Sequence, residues 1–365
     1  MSGVPGPTAH LEASETATVR DLREGYRQYR PSLATLILGC ALAVALGFLY
    51  VDGFWMRAHG VDLAFVALIG ALGLLGFVLS LITSRPSRLP RAIDVTLGLF
   101  GAVFAQFLTR EMRIPVLVAV GVTGSIIGVL SLRDGPLDFM ASASGYAGMF
   151  TGLLQPGPVL DWGWVLIAGL LAGVLMSVVG PTVLPGVGAR IGAVAFLAGS
   201  IVYLLAQWTG TDSPPLLPVE SRGLASWAIL PIGMAGALVT WVLIHRTSMP
   251  FVLASALPSL CVCGIMAIAL PSGLSVLGSA WVGGTLIASA APERLPTAFW
   301  IGTAGIVYGA LMVHFGGPLT GHVGVLGATA TIACMATAAA EWLMHGRRLG
   351  SLVARIAPAS ATPLR

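Results

Sequence analysis

The sequence predicts an all-α, polytopic membrane bundle of about 12 transmembrane segments: two five-segment inverted repeats preceded by two extra N-terminal spans. Three observations predict it. Of 365 residues, 56% are hydrophobic and 9% charged, whereas soluble chains carry about 25% charge. Apolar runs recur at roughly 18–22 residues, enough to cross a hydrocarbon core of about 30 Å. Glycine and proline positions in the middle of the chain reappear at a nearly constant offset nearer its end. A transmembrane β-barrel would instead alternate in segments of about 10 residues.

The elements follow in order. Residues 1–32 form a polar tail. Within it Thr18 to Arg30, TVRDLREGYRQYR, places Arg20, Arg23, Arg27 and Arg30 at helical spacing, as in a basic helix lying on the membrane and anchoring the first span. The first apolar run begins near Leu33, too long and too far in for a secretory signal. Residues 33–83 hold the two extra spans, at 33–51 and 62–83. The first repeat, 84–207, has spans at 92–109, 114–132, 138–154, 160–180 and 185–207. Residues 208–223, with Pro214, Pro215 and Pro218, make an external linker. The second repeat, 224–345, has spans at 224–244, 250–270, 274–290, 297–314 and 319–343, and 346–365 is a second tail. The spans at 138–154 and 274–290 are the shortest and the two expected to be broken or re-entrant.

All the positive charge is arginine: 19 residues, with no lysine. Threaded through twelve spans, 15 arginines fall on the side of the two termini, and only Arg57, Arg110, Arg113 and Arg222 fall on the other. This bias predicts both termini in the cytoplasm and a place in the cell (plasma or inner) membrane. The basic excess is a topology signal and predicts no nucleic-acid partner. Cys40, Cys261, Cys263 and Cys334 all lie in apolar runs and are expected as small buried hydrophobes, with no metal or cofactor.

The repeat is read from residue registers. Residues 164–188 and 300–324, offset by 136, agree at nine of 25 positions. The pairs include Trp164 with Trp300, Gly169 with Gly305, Gly173 with Gly309 and Gly180 with Gly316. Upstream the offset is 135, pairing Pro115 with Pro250, Pro136 with Pro271, Ser144 with Ser279, Tyr146 with Trp281 and Gly148 with Gly283. A one-residue difference in a connecting loop reconciles the two. Five spans per copy is an odd number, so the second copy crosses in the opposite sense. A single glycine taken alone marks a helix crossing.

The two short segments, DFMASASGYAGMFTGLL and LSVLGSAWVGGTLIASA, carry the candidate solute contacts. These are Ser142, Ser144, Tyr146 and Gly148 in the first, and Ser279, Trp281, Gly283 and Gly284 in the second. Hydroxyls, one aromatic from each side and bare backbone suit a small solute held at mid-membrane. Ionisable groups are few. Asp94, Asp138 and Asp161 stand at helix starts, where a carboxylate meets the positive end of the helix. Arg190 reads as a snorkelling anchor, His314 and His322 bracket the turn FGGPLTG, Glu341 lies at headgroup depth, and Gln106 is an amide inside a span.

With no lysine there is no G-x-x-x-x-G-K-[ST] loop, and neither H-E-x-x-H nor G-x-S-x-G occurs. Nucleotide-driven pumping by this chain alone is excluded. The expectation is a transporter or channel-like facilitator, not an enzyme, for a small neutral or anionic solute bound where the repeats meet. Its partners are the bilayer and that solute, with homo-oligomer contacts through the first two spans. The alternative is a membrane-embedded subunit or enzyme of a lipid or envelope pathway acting with a partner. The five-plus-five inverted layout with short broken elements resembles that of urea-transporter-like and amino-acid-transporter-like proteins, a resemblance of architecture alone.

Overall fold

The computed structural model describes residues 33–53, 61–82, 90–132, 137–153, 162–209, 225–314 and 324–345. Twelve helices occupy them, one on each predicted apolar segment. They are α1 (Leu33–Gly53), α2 (Val61–Ile82), α3 (Ala92–Arg110), α4 (Val116–Leu130), α5 (Phe139–Gly152) and α6 (Trp162–Thr182). Then come α7 (Arg190–Trp208), α8 (Ala225–Thr247), α9 (Phe251–Ala269), α10 (Ser279–Ile287), α11 (Ala298–His314) and α12 (Gly324–Met344). A short turn, Pro271–Gly273, and a π-turn, Leu274–Gly278, lead into α10. The basic segment 18–30, the linker 210–223, the tail 346–365, Asp161 and His322 lie outside the described residues.

Seven helices, α2, α3, α6, α7, α8, α9 and α12, are long and apolar enough to cross a membrane. Outward-facing Leu74, Ile265 and Ile268 are exposed, as lipid-facing side chains are. The protein is membrane-embedded. By contrast α5, at 14 residues, is about 21 Å long and falls short of a hydrocarbon core. It is also enclosed: every residue from Ala141 to Gly152 is buried. Ala280 to Ile287 of α10 are buried likewise. The two small-residue stretches therefore sit inside the bundle, away from lipid.

Glycine makes this enclosure possible. Lipid tails are as apolar as leucine, so helices associate through close packing rather than exclusion from water. Gly98 of α3 faces α6, where an added Cβ would stand 2.7 Å from the Gly169 oxygen and from Gly173 Cα. On its other side, the Gly98 carbonyl fills the place of a Cβ on Gly148 of α5. The same order recurs further on. Gly305 of α11 faces Met234 and the Gly233 oxygen of α8, and the Gly233 carbonyl fills the place of a Cβ on Gly284 of α10.

Two pairs of helices join α3–α7 to α8–α12. Helix α4 meets α9 with Gly121 against Leu260 and Gly128 against Leu253, so one index rises as the other falls and the helices are antiparallel. Helix α7 meets α12 with Gly192 against Gly327 and Phe196 against Gly324, again antiparallel. Both α4 and α9 start after a proline, Pro115 and Pro250, with nearly the same backbone angles (φ −53°, ψ 135° and φ −55°, ψ 139°). The turns just before them each hold a left-handed residue, Arg113 at φ 54° and Ser248 at φ 55°. Proline lacks an N–H and suits a helix start.

Helix α7 begins five residues later than the sequence pattern suggests. Pro185 and Gly186 (φ 73°) break the run, and Ala189 is left-handed at φ 62°. Residues 183–189 form a loop whose Val183, Leu184, Val187 and Ala189 are buried. Irregular backbone inside a membrane protein must find partners in the protein. Here the Ala189 N–H donates to the Leu286 oxygen (2.9 Å) and to Ser289 Oγ (3.0 Å). The Ala291 N–H donates to the Gly186 oxygen (2.9 Å), and the Thr331 hydroxyl donates to the Ala189 oxygen (3.0 Å). The loop is thereby tied to the end of α10 and to α12.

Candidate functional site

The centre of the bundle is built from small side chains, so the few larger polar ones stand out. Tyr146, projecting from α5, is fully buried. Its ring packs edge-on against Phe150 and Phe251. Its hydroxyl lies 2.9 Å from Ser255 Oγ of α9, which lies 2.7 Å from Thr285 Oγ1 of α10. Thr285 in turn donates to its own helix at the Val282 oxygen (2.7 Å). A chain of three hydroxyls thus crosses the middle of the protein and links α5 to α9 and α10. Each is a donor and an acceptor, so the chain satisfies itself in a setting where an unmet hydroxyl is costly.

The other candidate contacts fall in several places. Ser142 donates to the Phe139 oxygen within α5 (3.0 Å). Ser144 Oγ and Trp281 Nε1 are buried and meet no hydrogen-bond partner. The Ser279 oxygen accepts from the Tyr308 hydroxyl (2.9 Å). Gly148, Gly283 and Gly284 lie at crossings: added Cβ atoms would meet the Gly98 carbonyl, the Tyr308 hydroxyl and the Gly233 carbonyl respectively. All three stand in close contact with a neighbouring helix.

The register between the two short segments also differs from the expected one. Gly98 and Gly233 are 135 apart, yet the residues packed against their carbonyls, Gly148 and Gly284, are 136 apart. Likewise Gly101 faces the Gly145 oxygen, while Gly236 faces the Trp281 oxygen. The extra residue is absorbed by the π-turn Leu274–Gly278, since a π-turn holds one residue more than an α-turn. In this packing Trp281 stands against Gly236 as Gly145 stands against Gly101.

A second polar cluster lies where α3, α5 and α6 come together. The Arg91 guanidinium holds two carboxylates at once. Nε and Nη2 donate to Asp94 (3.0 and 2.7 Å), and Nη1 and Nη2 donate to Asp138 (2.6 and 2.9 Å). Asp94 is buried and also accepts from Ser177 of α6 (3.1 Å). Asp138 caps α5 by accepting from the Ala141 N–H (2.8 Å), as its position predicts. The Arg91 hydrogen bond, foremost, holds the Asp138 carboxyl down at about 2, and the two carboxylates push Arg91 up. Arg190 extends this face: its Nη1 donates to the Gly180 oxygen (3.1 Å), and its guanidinium stands 5.5 Å from the Phe139 ring centroid.

Sequence reasoning missed the clasp and Ser255. Arg91 and Asp94 stand three apart across a helix start, which is a local signal for a pair. Nothing local announces Asp138 as the other partner, or Ser255 as the bridge between Tyr146 and Thr285. Among the described residues, no three His, Cys, Asp or Glu side chains come together as a metal site would require.

Fold, composition and buried polar chain define a helical, membrane-embedded protein. Comparison with models of known families, with curated proteins and with solved structures finds no match to the chain.

Proposed function

We propose that the protein is a membrane transporter or channel-like facilitator for a small neutral or anionic solute. In this reading α3–α7 and α8–α12 are inverted repeats, and the solute passes where they meet. One observation carries it: the helices that would be equivalent, α4 with α9 and α7 with α12, meet antiparallel, with the two shortest helices buried between them. Repeats related by an axis in the membrane plane bring equivalent helices together in opposite directions. Repeats of the same sense would make them parallel. The matched turns at Arg113 and Ser248 add support. So does the loop 183–189, since irregular backbone at depth is a feature of solute paths.

The polar groups of the central chain, Tyr146, Ser255 and Thr285, are hydroxyls, and the buried charged residues Asp94, Arg294 and Glu341 are not part of it. That composition suits a neutral solute, or an anion met by backbone N–H groups. In the same reading the arginine-rich face is cytoplasmic and holds both termini. The ionic cluster at that face favours no catalytic alternative: Arg91 is engaged by Asp94 and Asp138, and Asp138 also caps a helix.

The test is uptake into proteoliposomes holding the purified protein, across a panel of small amides, polyols, monocarboxylates and inorganic anions. Flux of at least one class above protein-free vesicles is expected, reduced by Ser255→Ala and by Tyr146→Phe. Absence of flux for every class would refute the proposal.

A further inference from the structure

The two short central helices are held in unlike ways. Helix α5 begins at an acidic cap, Asp138, whose carboxylate is clasped by Arg91, itself fixed to Asp94 and, through it, to Ser177 of α6. The corresponding positions near α10 are Ser226, Ile229, Gly273 and Val313, none of them ionisable. No side chain caps the start of α10's leading turn, and none caps the π-turn. Pro271, Ser272 and Ser275 are exposed. A π-turn carries one residue beyond α-helical need and can return to α geometry by passing that residue along the chain. The π-turn itself runs into the buried centre: its last two residues, Leu277 and Gly278, are buried.

We propose that Pro271–Gly278 is the moving gate of the permeation path, its π-turn supplying the register shift, and that α5 is the fixed wall held by the Arg91 clasp. This rests on the transport reading. It makes the path asymmetric: a latched end on the arginine-rich face, and a movable end on the opposite face. A solute arriving from the opposite face meets the movable end first.

Two measurements on the full chain in lipid nanodiscs and proteoliposomes test the gate. Hydrogen–deuterium exchange should be about tenfold faster over 272–279 than over 139–146, because the uncapped π-turn opens locally and the clasped helix does not. Deleting Val276 removes the extra residue and leaves α10 in place. It should slow exchange over 272–279 to the level of α5 and abolish the flux that the wild type carries. Arg91→Gln, which keeps every residue count, should raise exchange over 139–146 toward that of 272–279. Equal exchange of the two segments in the wild type would overturn the gate. So would wild-type flux from a well-folded Val276 deletion, or unchanged exchange over 139–146 in Arg91→Gln. Each of these leaves the transport reading standing while the wild type carries solute, whereas failure of that reading is read from the wild type alone.

Discussion

Replacing Gly98 with alanine tests the packing account at a crossing closed on every side by backbone. The new Cβ would lie 2.7 Å from the Gly169 oxygen and 2.7 Å from Gly173 Cα and N. An ordinary carbon contact is about 3.5 Å, so α3 and α6 must part by about 0.8 Å. All three obstacles are backbone of glycines, so no side chain can turn aside. Overpacking of this kind costs typically about 1–3 kcal/mol, and the rigid obstacle places Gly98→Ala near 3. Gly233, which faces α11 in the same way, has more room: the nearest atoms to its Cβ would be the Gly305 oxygen at 3.0 Å and Tyr308 Cδ1 at 3.4 Å. Gly233→Ala should cost about 1 kcal/mol. Gly47 and Gly264 have nothing within 4 Å, and alanine there should be neutral or stabilise by up to about 1 kcal/mol. Reversible unfolding in mixed micelles with increasing SDS reads all four. The order expected is Gly98→Ala far below Gly233→Ala, with Gly47→Ala and Gly264→Ala at or above wild type. Equal midpoints for Gly98→Ala and Gly264→Ala would refute the reasoning.

Three further outcomes follow from the polar groups and the backbone. Asp138→Asn keeps a good helix cap but removes the charge, so it isolates the Arg91 pair from the cap; Asp138→Ala removes both and should cost about 1 kcal/mol more in a thermal melt. Because folding lowers the Asp138 pKa to about 2, its stabilisation is complete above the ordinary carboxylate value and is lost as pH falls through about 2; the melting difference between wild type and Asp138→Asn should shrink over that window and stay flat from pH 5 to 7. Ala189→Gly should stabilise by about 0.5–1 kcal/mol, because the left-handed backbone costs alanine about 1–2 kcal/mol and glycine returns part of that gain as chain entropy; a lower melting temperature would contradict the φ of 62°.

Much of the fold was legible because membrane helices announce themselves by length and apolarity. Each of the twelve runs read from the sequence carries a helix. The shortness of α5 and α10 was legible from their small residues, since Ala141 to Gly148 offers too little apolar surface for a lipid-facing span. The late start of α7 was not. Apolar Val183, Leu184 and Val187 continue the hydropathy of a helix, while a hydrogen bond accepted by the Leu286 oxygen and others donated by Ala291 and Thr331 stabilise a loop there instead. The glycine register was visible, but its cause was not: a π-turn has no residue signature, and only the carbonyls met by Gly148 and Gly284 locate it. At the candidate site, Tyr146 was legible as a lone aromatic among small residues. Ser255 was not, because its hydroxyl matters only through contacts 109 and 30 residues away.

Opposite orientation of α3–α7 and α8–α12 is the premise of the whole account. Met112 and Thr247 are exposed, 135 residues apart, beside the matched left-handed turns. Single cysteines placed at these positions in a chain whose four native cysteines are replaced by alanine can be labelled with a membrane-impermeant maleimide in vesicles of known sidedness. The account predicts that the two positions react from opposite faces, the residue at 247 from the arginine-rich side. Reaction of both from the same face would contradict it.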